Sequence, residues 1–262
     1  MDLMICLSGE ADQLAFLPEI ASLGVGIELG SYGLVGIQSE AQWQSRFELH
    51  QALRAQFDGP ISIHGPFLGM EFAHLDHLIV EVVQRRLDMT LDAAKKLNAY
   101  RVVLHSGYTV EMGMFDLQAQ WLKNNVAFWQ REIGRWAEAG IQIVIENDIE
   151  STPDLLVQLA KAVDHPALGL CFDIGHHHMF SDLAVLEWVR QMQPWLCHFH
   201  LHDNDRTGDK HWPLGQGTID FESFYTILRT HVPQATLALE VQDKMDVKMN
   251  NLRQLVAIFD ES

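Results

Sequence analysis

Short apolar runs alternate with longer amphipathic segments along the whole chain. Each run has four to six residues and is rich in Val, Ile, Leu or Phe, which is typical of parallel strands covered on both faces. We predict eight strands, at Leu3–Leu7, Val25–Leu29, Ile61–His64, Val102–His105, Ile141–Glu146, Leu168–Asp173, Leu196–Leu201 and Leu237–Val241. The clearest segments between them predict helices at Asp76–Leu97, Leu117–Ala139 and Pro153–Val163.

The helix predicted at Asp76–Leu97 carries an apolar stripe along one side. Its members recur at helical spacing: Leu78, Val82, Leu87, Leu91 and Ala94. Hydroxyl residues predict three further helix starts, because their side-chain oxygens can accept a hydrogen bond from a free backbone N–H. These starts are Ser39-Glu40, Ser151-Thr152-Pro153-Asp154 and Ser181-Asp182.

Eight strand–helix units in 262 residues predict a closed barrel. Regular alternation implies right-handed crossovers between parallel strands, and eight units in about 250 residues is the usual size of a (β/α)8 barrel. An open, doubly wound sheet is the alternative, but Cys6–Glu10 after the first strand lacks the G-x-G-x-x-G pattern. No linker divides the chain, so we predict an α/β fold with one domain, a (β/α)8 TIM barrel spanning residues 1–262.

Seven of the eight predicted strands end at or next to a histidine or a carboxylate. These residues are Glu28, His64, His105, Glu146, Asp173, His200 and Glu240. Ionisable groups at the ends of apolar strands are costly unless something compensates them, and in a barrel these ends converge on one mouth. One such residue alone is more often a hydrogen-bonded structural group, but the repetition favours a metal site. Imidazole and carboxylate together suit Zn²⁺, Mn²⁺ or Fe²⁺.

Further candidate ligands follow the sixth and seventh strands. His176 lies in register with the carboxylate that ends the sixth strand. In the loop after the seventh strand, Asp209 and His211 are two residues apart, which places both on one side of an extended segment, and we expect them to bind metal. Asp203 and Asp205 fit ligation and a solvated acidic loop equally well.

The remaining histidines are interpreted as surface or structural residues. Five lie in helical or loop contexts and are expected at the surface: His50, His74, His77, His165 and His231. His177 and His178 merely extend the triplet that begins at His176. Cys171 and Cys197 precede strand ends and are expected to be small core residues.

The amino-acid composition limits which partners and which cellular compartment are expected for the protein. The chain carries 18 basic and 35 acidic residues, a formal charge of −17, which should repel a polyanion. Three cysteines are too few for a disulfide framework, which favours a reducing, cytoplasmic environment. No apolar run approaches the roughly 20 residues that span a bilayer, and Met1–Met4 is acidic and a poor start for a signal peptide. No feature specifies an oligomeric state.

From the second strand to the eighth, the chain resembles the xylose isomerase-like TIM barrels. This superfamily includes sugar and sugar-phosphate isomerases and epimerases and the endonuclease IV-like enzymes, AP endonuclease family 2. The most specific stretch runs from His200-Leu201-His202-Asp203 to Gly215-Gln216-Gly217-Thr218-Ile219-Asp220-Phe221. The resemblance implies a shared metal site on strands five to eight, made of Glu146, Asp173, His200 and Glu240.

The endonuclease IV-like members hold three zinc ions, and the resemblance implies a match for every ligand. His64 and His105, with Glu146 as a bridge, would hold a first ion beside the shared site. His176, Asp209 and His211 would hold a third. The ketose epimerases keep the four-residue core alone, so the expected cofactor is one to three divalent ions, Zn²⁺ or Mn²⁺.

We expect a metal-dependent isomerase or epimerase acting by proton transfer on a small sugar or sugar phosphate. Glu146 and Glu240 would exchange the proton as general base and acid. The expected substrate contacts are Glu28, Phe67, His202 and Trp212, of which Phe67 and Trp212 could stack on a sugar. Glu28 fits a structural role at its strand end equally well.

Two other functions fit the same residues. A trinuclear zinc hydrolase would cleave a phosphodiester, another ester or an amide, with Glu146 as a bridging ligand. The acidic charge and the scarcity of Lys and Arg near the predicted mouth argue against nucleic acid as its substrate. A barrel that has lost catalysis and only binds its ligand is the third interpretation, disfavoured by the complete ligand set.

Overall fold

The alternating pattern folds into a closed barrel of eight parallel strands, which confirms the predicted (β/α)8 architecture. The computed structural model describes residues 1–33 and 39–260. Each strand pairs with the next along the chain, and β8 pairs with β1. The strands are β1 (Asp2–Leu7), β2 (Gly26–Leu29), β3 (Ile61–His64), β4 (Arg101–His105), β5 (Gln142–Glu146), β6 (Leu168–Asp173), β7 (Leu196–Leu201) and β8 (Thr236–Leu239).

Helices surround the barrel and connect its strands. Within the described ranges they are α1 (Ala11–Leu14), α2 (Leu17–Ser22), α3 (Glu40–Arg54), α4 (His77–Leu97), α5 (Val110–Met114), α6 (Gln118–Glu138), α7 (Asp154–Val163), α8 (Ile174–Phe180), α9 (Val185–Met192), α10 (Phe221–His231) and α11 (Met245–Asp260), with a 3₁₀ turn at Gly30–Gly33. Each predicted strand and helix lies within two residues of the observed one. None of the described helices is long and apolar enough to cross a bilayer.

One of the three predicted helix caps is present. The Ser39 hydroxyl accepts a hydrogen bond from the backbone N–H of Gln42 and starts α3. Thr152 does not cap α7, because its hydroxyl donates instead to Asp154. The start predicted at Ser181 is wrong, since Ser181 ends α8 and accepts from the Trp188 indole.

The predicted stripe of α4 is correct only in its C-terminal two thirds. Leu87, Leu91 and Ala94 are buried, whereas Leu78 and Val82 are more than half exposed. The buried side of α4 starts at Val83, one helical turn before Leu87. Val82 therefore lies about 100° away from the core-facing direction.

The layer between strands and helices is apolar and aromatic. Its largest buried side chains include Trp121, Trp129 and Trp136 of α6 and Trp188 of α9. His50 of α3 is also completely buried here, so its predicted surface position is wrong. Its ring packs edge-on against Tyr32, and Nε2 lies 3.1 Å from the carbonyl oxygen of Ser8.

The interior of the barrel is different, because it contains ionisable groups. Small apolar residues occupy part of it, including Cys6, Cys171 and Ala238. Among them lie side chains that are completely shielded from solvent: Glu28, Ser62, His198 and His200. All three cysteines are unpaired, Cys171 is buried as predicted, and Cys197 is only partly buried.

A candidate metal centre at the carboxyl end of the barrel

Strand register brings the candidate ligands together. His105 lies opposite Glu146 on β4 and β5, and Asp173 lies opposite His200 on β6 and β7. Glu240 directly follows β8, where its backbone N–H donates to the Leu201 carbonyl. The carboxyl ends of five neighbouring strands therefore contribute their side chains to one small volume.

A first cluster consists of His64, His105 and Glu146, with one ligand-type atom of each lying within 4.8 Å of the others. Oε2 of Glu146 lies 3.3 Å from Nε2 of His64 and 3.5 Å from Nε2 of His105. This oxygen is buried and makes no hydrogen bond. An unpaired carboxylate oxygen between two imidazole nitrogens is the arrangement expected of a metal ligand rather than of a structural ion pair.

A second cluster surrounds Nδ1 of His200. This atom lies 2.7 Å from Oε1 of Glu146, 3.2 Å from Oε2 of Glu240 and 3.9 Å from Oδ2 of Asp173. One nitrogen and three carboxylates form a donor set for a hard or borderline divalent cation.

A third cluster contains His176, His202, Asp209 and His211. Oδ2 of Asp209 lies 3.0 Å from Nε2 of His211 and 3.5 Å from Nε2 of His176. The rings of His202 and His211 stack with their centroids 3.8 Å apart. His202, expected to contact substrate, lies completely buried in this cluster, with Nε2 at 3.1 Å from Oδ2 of Asp173.

The orientation of four histidines fits metal binding. Three place Nδ1 against a main-chain carbonyl oxygen: His64 against Gly65 at 3.0 Å, His176 against Asn147 at 2.8 Å and His211 against Glu240 at 2.8 Å. Nδ1 of His105 lies 3.1 Å from Oδ2 of Asp148. Because these oxygens only accept, Nδ1 carries the proton and Nε2 faces the clustered carboxylates, as in metal-binding histidines.

Charge compensation within the clusters is strong. Burial alone would raise the pKa of Glu146, but the charges of His200 and His105 hold it well below its usual range. Burial would likewise raise the pKa of Asp173, whereas His176 and His202 lower it to about 2. Conversely, burial would lower the pKa of His64, but Glu146 raises it to about 9. The carboxylates are thus ionised, which is the state that binds cations.

A cavity of about 350 Å³ opens above these clusters. It is lined by Gly30, His64, Phe67, Leu68, His105, Asp148, His176, Asp209, His211, Glu240 and Gln242. Among these described lining residues, none is Lys or Arg. The ring of Phe67 stacks on that of His105, so this expected substrate contact does face the cavity.

Two other expected substrate contacts do not line the cavity. Trp212 lies outside it, with the Lys210 ammonium 5.0 Å from its ring centroid. Glu28 is completely buried beneath the site, where it contacts Ser62 and His200. Of the two roles considered for Glu28, its place in the structure therefore fits the structural one.

The acidic loop after β7 is held by Asp203 rather than solvated. Asp203 is completely buried, and its carboxylate accepts hydrogen bonds from the backbone N–H groups of Gly215, Gly217 and Ile219. A Cβ on Gly217 would lie 2.3 Å from an Asp203 oxygen, so only glycine fits there. Asp205 is only partly buried and accepts from Thr207, so neither aspartate reaches the clusters.

Sequence reasoning missed two residues that contact candidate ligands. Asp148 follows β5 by two positions and faces both His105 and the cavity. Asn147 exchanges two hydrogen bonds with the backbone of Asp173 and so joins the ends of β5 and β6. The string Glu146-Asn147-Asp148 was the available signal, because polar residues continue past the strand end.

Several curated proteins are similar in sequence, among them the following two. An uncharacterised protein of Methanocaldococcus jannaschii, MJ1311, is 28% identical over 178 residues, covering 64% of this chain and 60% of that protein. A probable endonuclease 4 of Mycobacterium leprae is 23% identical over 175 residues, covering 62% and 66% respectively. The chain thus matches less than two thirds of the length of either protein.

Solved structures match over nearly the full length. The TTHB071 protein of Thermus thermophilus, from a crystal soaked with ZnCl2, superposes with a TM-score of 0.73 at 26% identity, covering 98% of this chain and 99% of that one. A D-tagatose 3-epimerase-like protein superposes with a TM-score of 0.78 at 23% identity, covering 100% and 99%. The model of the xylose isomerase-like TIM barrel family matches residues 28–258, and the chain therefore belongs to this family of enzymes.

Proposed function

We propose that the protein is a divalent-metal-dependent isomerase or epimerase of a small, neutral, polyhydroxylated substrate. The observation that carries this proposal is the cavity of about 350 Å³, which joins candidate metal ligands to an apolar wall without a Lys or Arg among its described lining residues. This volume lies in the range of small-molecule sites, about 300–1,000 Å³. The epimerase-like structure with the same fold supports the same reaction class.

The second cluster would hold the essential ion, through Glu146, Asp173, His200 and Glu240. A divalent ion there would supply a Lewis acid that polarises a carbonyl and orients adjacent substrate oxygens. The neighbouring wall of Phe67 and Leu68 offers an apolar surface to the carbon face of a sugar. A phosphorylated substrate would lack a cationic partner among the described lining side chains.

Proton transfer is assigned to the two glutamates. The Glu240 side chain is 17% exposed and lines the cavity, so its carboxylate is placed to take a proton from a carbon next to the carbonyl. Glu146 would return a proton through Oε2, which is buried and makes no hydrogen bond. Glu240 would gain the proton that leaves the carbon, and Glu146, having first taken up a proton on Oε2, would supply the replacement, so the reaction is balanced without an oxidant.

A zinc-dependent hydrolase is the second candidate, and a specific observation favours it. All nine residues implied by the endonuclease IV-like resemblance lie in the three clusters, and the first cluster places Glu146 where a bridging ligand would be needed. The mycobacterial relative named as a probable endonuclease 4 supports the same alternative. In that case Glu146 would bridge two ions and would transfer no proton.

Metal content and solvent isotope exchange separate the two candidates. Purified protein loaded with Zn²⁺ or Mn²⁺ would be analysed for metal per chain and tested on ketoses, sugar phosphates and a phosphodiester. Epimerisation in D2O should place deuterium on the carbon next to the carbonyl. Three zinc ions per chain together with phosphodiester cleavage, and no exchange, would replace the isomerase by the hydrolase.

Glu240→Gln tests the proton-transfer role. Loss of a general acid or base lowers kcat by about 10²–10⁴-fold, and we expect a loss of that size. Because Glu240 is also a candidate ligand, the metal content of the variant must be measured beside its turnover. Glu132→Gln is the matched control, since Glu132 is a buried carboxylate of α6 and pairs with Arg135. Full turnover in Glu240→Gln would remove Glu240 from the reaction.

A further inference from the structure

A chain of buried polar side chains runs from the candidate metal centre down the inside of the barrel. Nε2 of His200 lies 2.7 Å from Oε1 of Glu28. The other carboxylate oxygen of Glu28 lies 3.0 Å from Nε2 of His198 and accepts a hydrogen bond of 2.6 Å from Ser62. Nδ1 of His198 lies 2.8 Å from an Arg101 nitrogen.

The chain ends at the opposite rim of the barrel. Arg101 is the first residue of β4, whereas the candidate ligand His105 is the last. Arg101 is 7% exposed, and its guanidinium is fixed by two further hydrogen bonds, to the Gln142 side chain at 3.1 Å and the Cys197 carbonyl at 3.2 Å. Its positive charge lies in the interior of the barrel, where the Glu28 carboxylate is also buried.

Arg101 fixes the tautomer of a neutral His198, because a guanidinium can donate and cannot accept. Nδ1 of His198 must accept from it, so the proton of a neutral His198 is on Nε2, facing Glu28. An ionised Glu28 only accepts, so Nε2 of His200 donates to it. Nδ1 of His200 lies 2.7 Å from the Glu146 carboxylate and donates to it here, with Glu240 and Asp173 nearby. A metal ion would replace the Nδ1 proton, and Glu28 would hold the remaining proton on Nε2, so that the lone pair would lie on Nδ1.

We propose that Glu28 is a positioning residue that fixes the ring and the tautomer of His200 for metal binding, and that Arg101, acting through His198, anchors Glu28 from the far end of the barrel. This inference rests on the proposed metal site and adds to it two residues that touch neither metal nor substrate. A carboxylate behind a metal-binding histidine orients the ring and increases its basicity, and removing such a partner typically costs 10–100-fold in metal affinity.

Glu28→Gln is the direct test, with Co²⁺ alone as the probe. The amide preserves size but carries no charge, and its NH2 group cannot accept, so it cannot keep the hydrogen bonds of both His200 and Ser62. We expect Co²⁺ affinity to fall by about 10–100-fold, with a shift of the visible absorption bands of the bound ion, while the melting temperature of the chelator-treated protein changes little. Glu132→Gln is the control for loss of a buried carboxylate, and it should bind Co²⁺ as the wild type does.

Arg101→Met and Arg101→Lys test the far end of the chain. Arg101→Met should also weaken Co²⁺ binding, but by less, because Arg101 acts on Glu28 only indirectly, through His198. Arg101→Lys keeps a charged donor and should restore part of the affinity and of the spectrum, which a purely packing role would not. If Glu28→Gln does not fold, the two Arg101 variants still test the positioning role.

The outcomes are distinguishable from failure of the proposed function. If the wild type binds no divalent metal, the proposed function itself fails. If the wild type binds Co²⁺ and both Glu28→Gln and Arg101→Met match it in affinity and spectrum, the positioning role is overturned. Failure of both variants to fold would also overturn it, because the chain would then be required for the barrel rather than for the ligand.

Discussion

Two histidines illustrate how differently the outer layer and the barrel mouth treat the same side chain. His50 in the layer beneath α3 and His64 at the end of β3 are both buried. Burial lowers the pKa of His50 to about 4, and the Ser8 carbonyl opposes this only in part. Burial acts on His64 too, but the Glu146 carboxylate raises its pKa to about 9. Because both rings are buried, the carboxylate that faces His64 accounts for the difference in pKa.

The same contrast holds for the two regions as a whole. In the outer layer, aromatic and aliphatic groups are buried against one another, and the gain in free energy stabilises the fold. At the mouth, ionisable groups are buried at a cost in free energy and are retained in a geometry that suits a cation. We therefore expect substitutions in the two regions to affect different measurements.

Trp136→Ala should have the largest effect on stability. Trp136 is 1% exposed in the layer between α6 and the barrel. Its truncation should lower the free energy of unfolding by about 3–5 kcal/mol, because transfer and cavity costs add. Urea denaturation measures this loss, and Met114→Ala, at a side chain that is 72% exposed, serves as the control. Metal affinity of the folded variant should stay unchanged, and a large loss there would break the separation between the regions.

Removal of metal should lower the melting temperature of the protein, because bound metal stabilises the barrel mouth, and it should leave the packing of the outer layer unchanged. A ligand that binds only the folded state at 100 times its dissociation constant stabilises it by about 2.7 kcal/mol. Zinc should therefore raise the melting temperature of chelator-treated protein, as followed by calorimetry, and His200→Ala should abolish most of this gain. An equal gain in wild type and variant would place the bound zinc outside the clusters.

The buried His50 should give a smaller, pH-dependent effect. Its pKa is lower in the fold than in the unfolded chain, so its contribution to stability is present above the unfolded value of about 6.5 and is lost as the pH falls towards 4. Between pH 7 and pH 5 the loss is about 1–2 kcal/mol. His50→Gln should flatten this part of the curve of unfolding free energy against pH. An unchanged curve would show that other groups, His177 among them, dominate it.

The strand positions and the residues at strand ends were predictable because both follow from local periodicity. Four-residue β3 and six-residue β7, for example, have the predicted bounds. The residues that contact the candidate metal ligands were not predictable, because they come from distant parts of the chain. Glu28 and His200 are 172 positions apart and meet only when the barrel closes. His50 was misjudged for the same reason, since its burial depends on α3 packing against Ser8 and Tyr32, which follow β1 and β2.

The main-chain anchors of His64, His176 and His211 have a consequence for how such a centre can change. A carbonyl of the backbone is present whatever side chain its residue carries, so these three anchors do not depend on the side chains of Gly65, Asn147 and Glu240. His105 is the exception, because its anchor is the Asp148 side chain. Lining side chains that are not candidate ligands, such as Phe67 and Leu68, can thus change without loss of these three anchors, whereas a change at position 148 alters the anchor of His105.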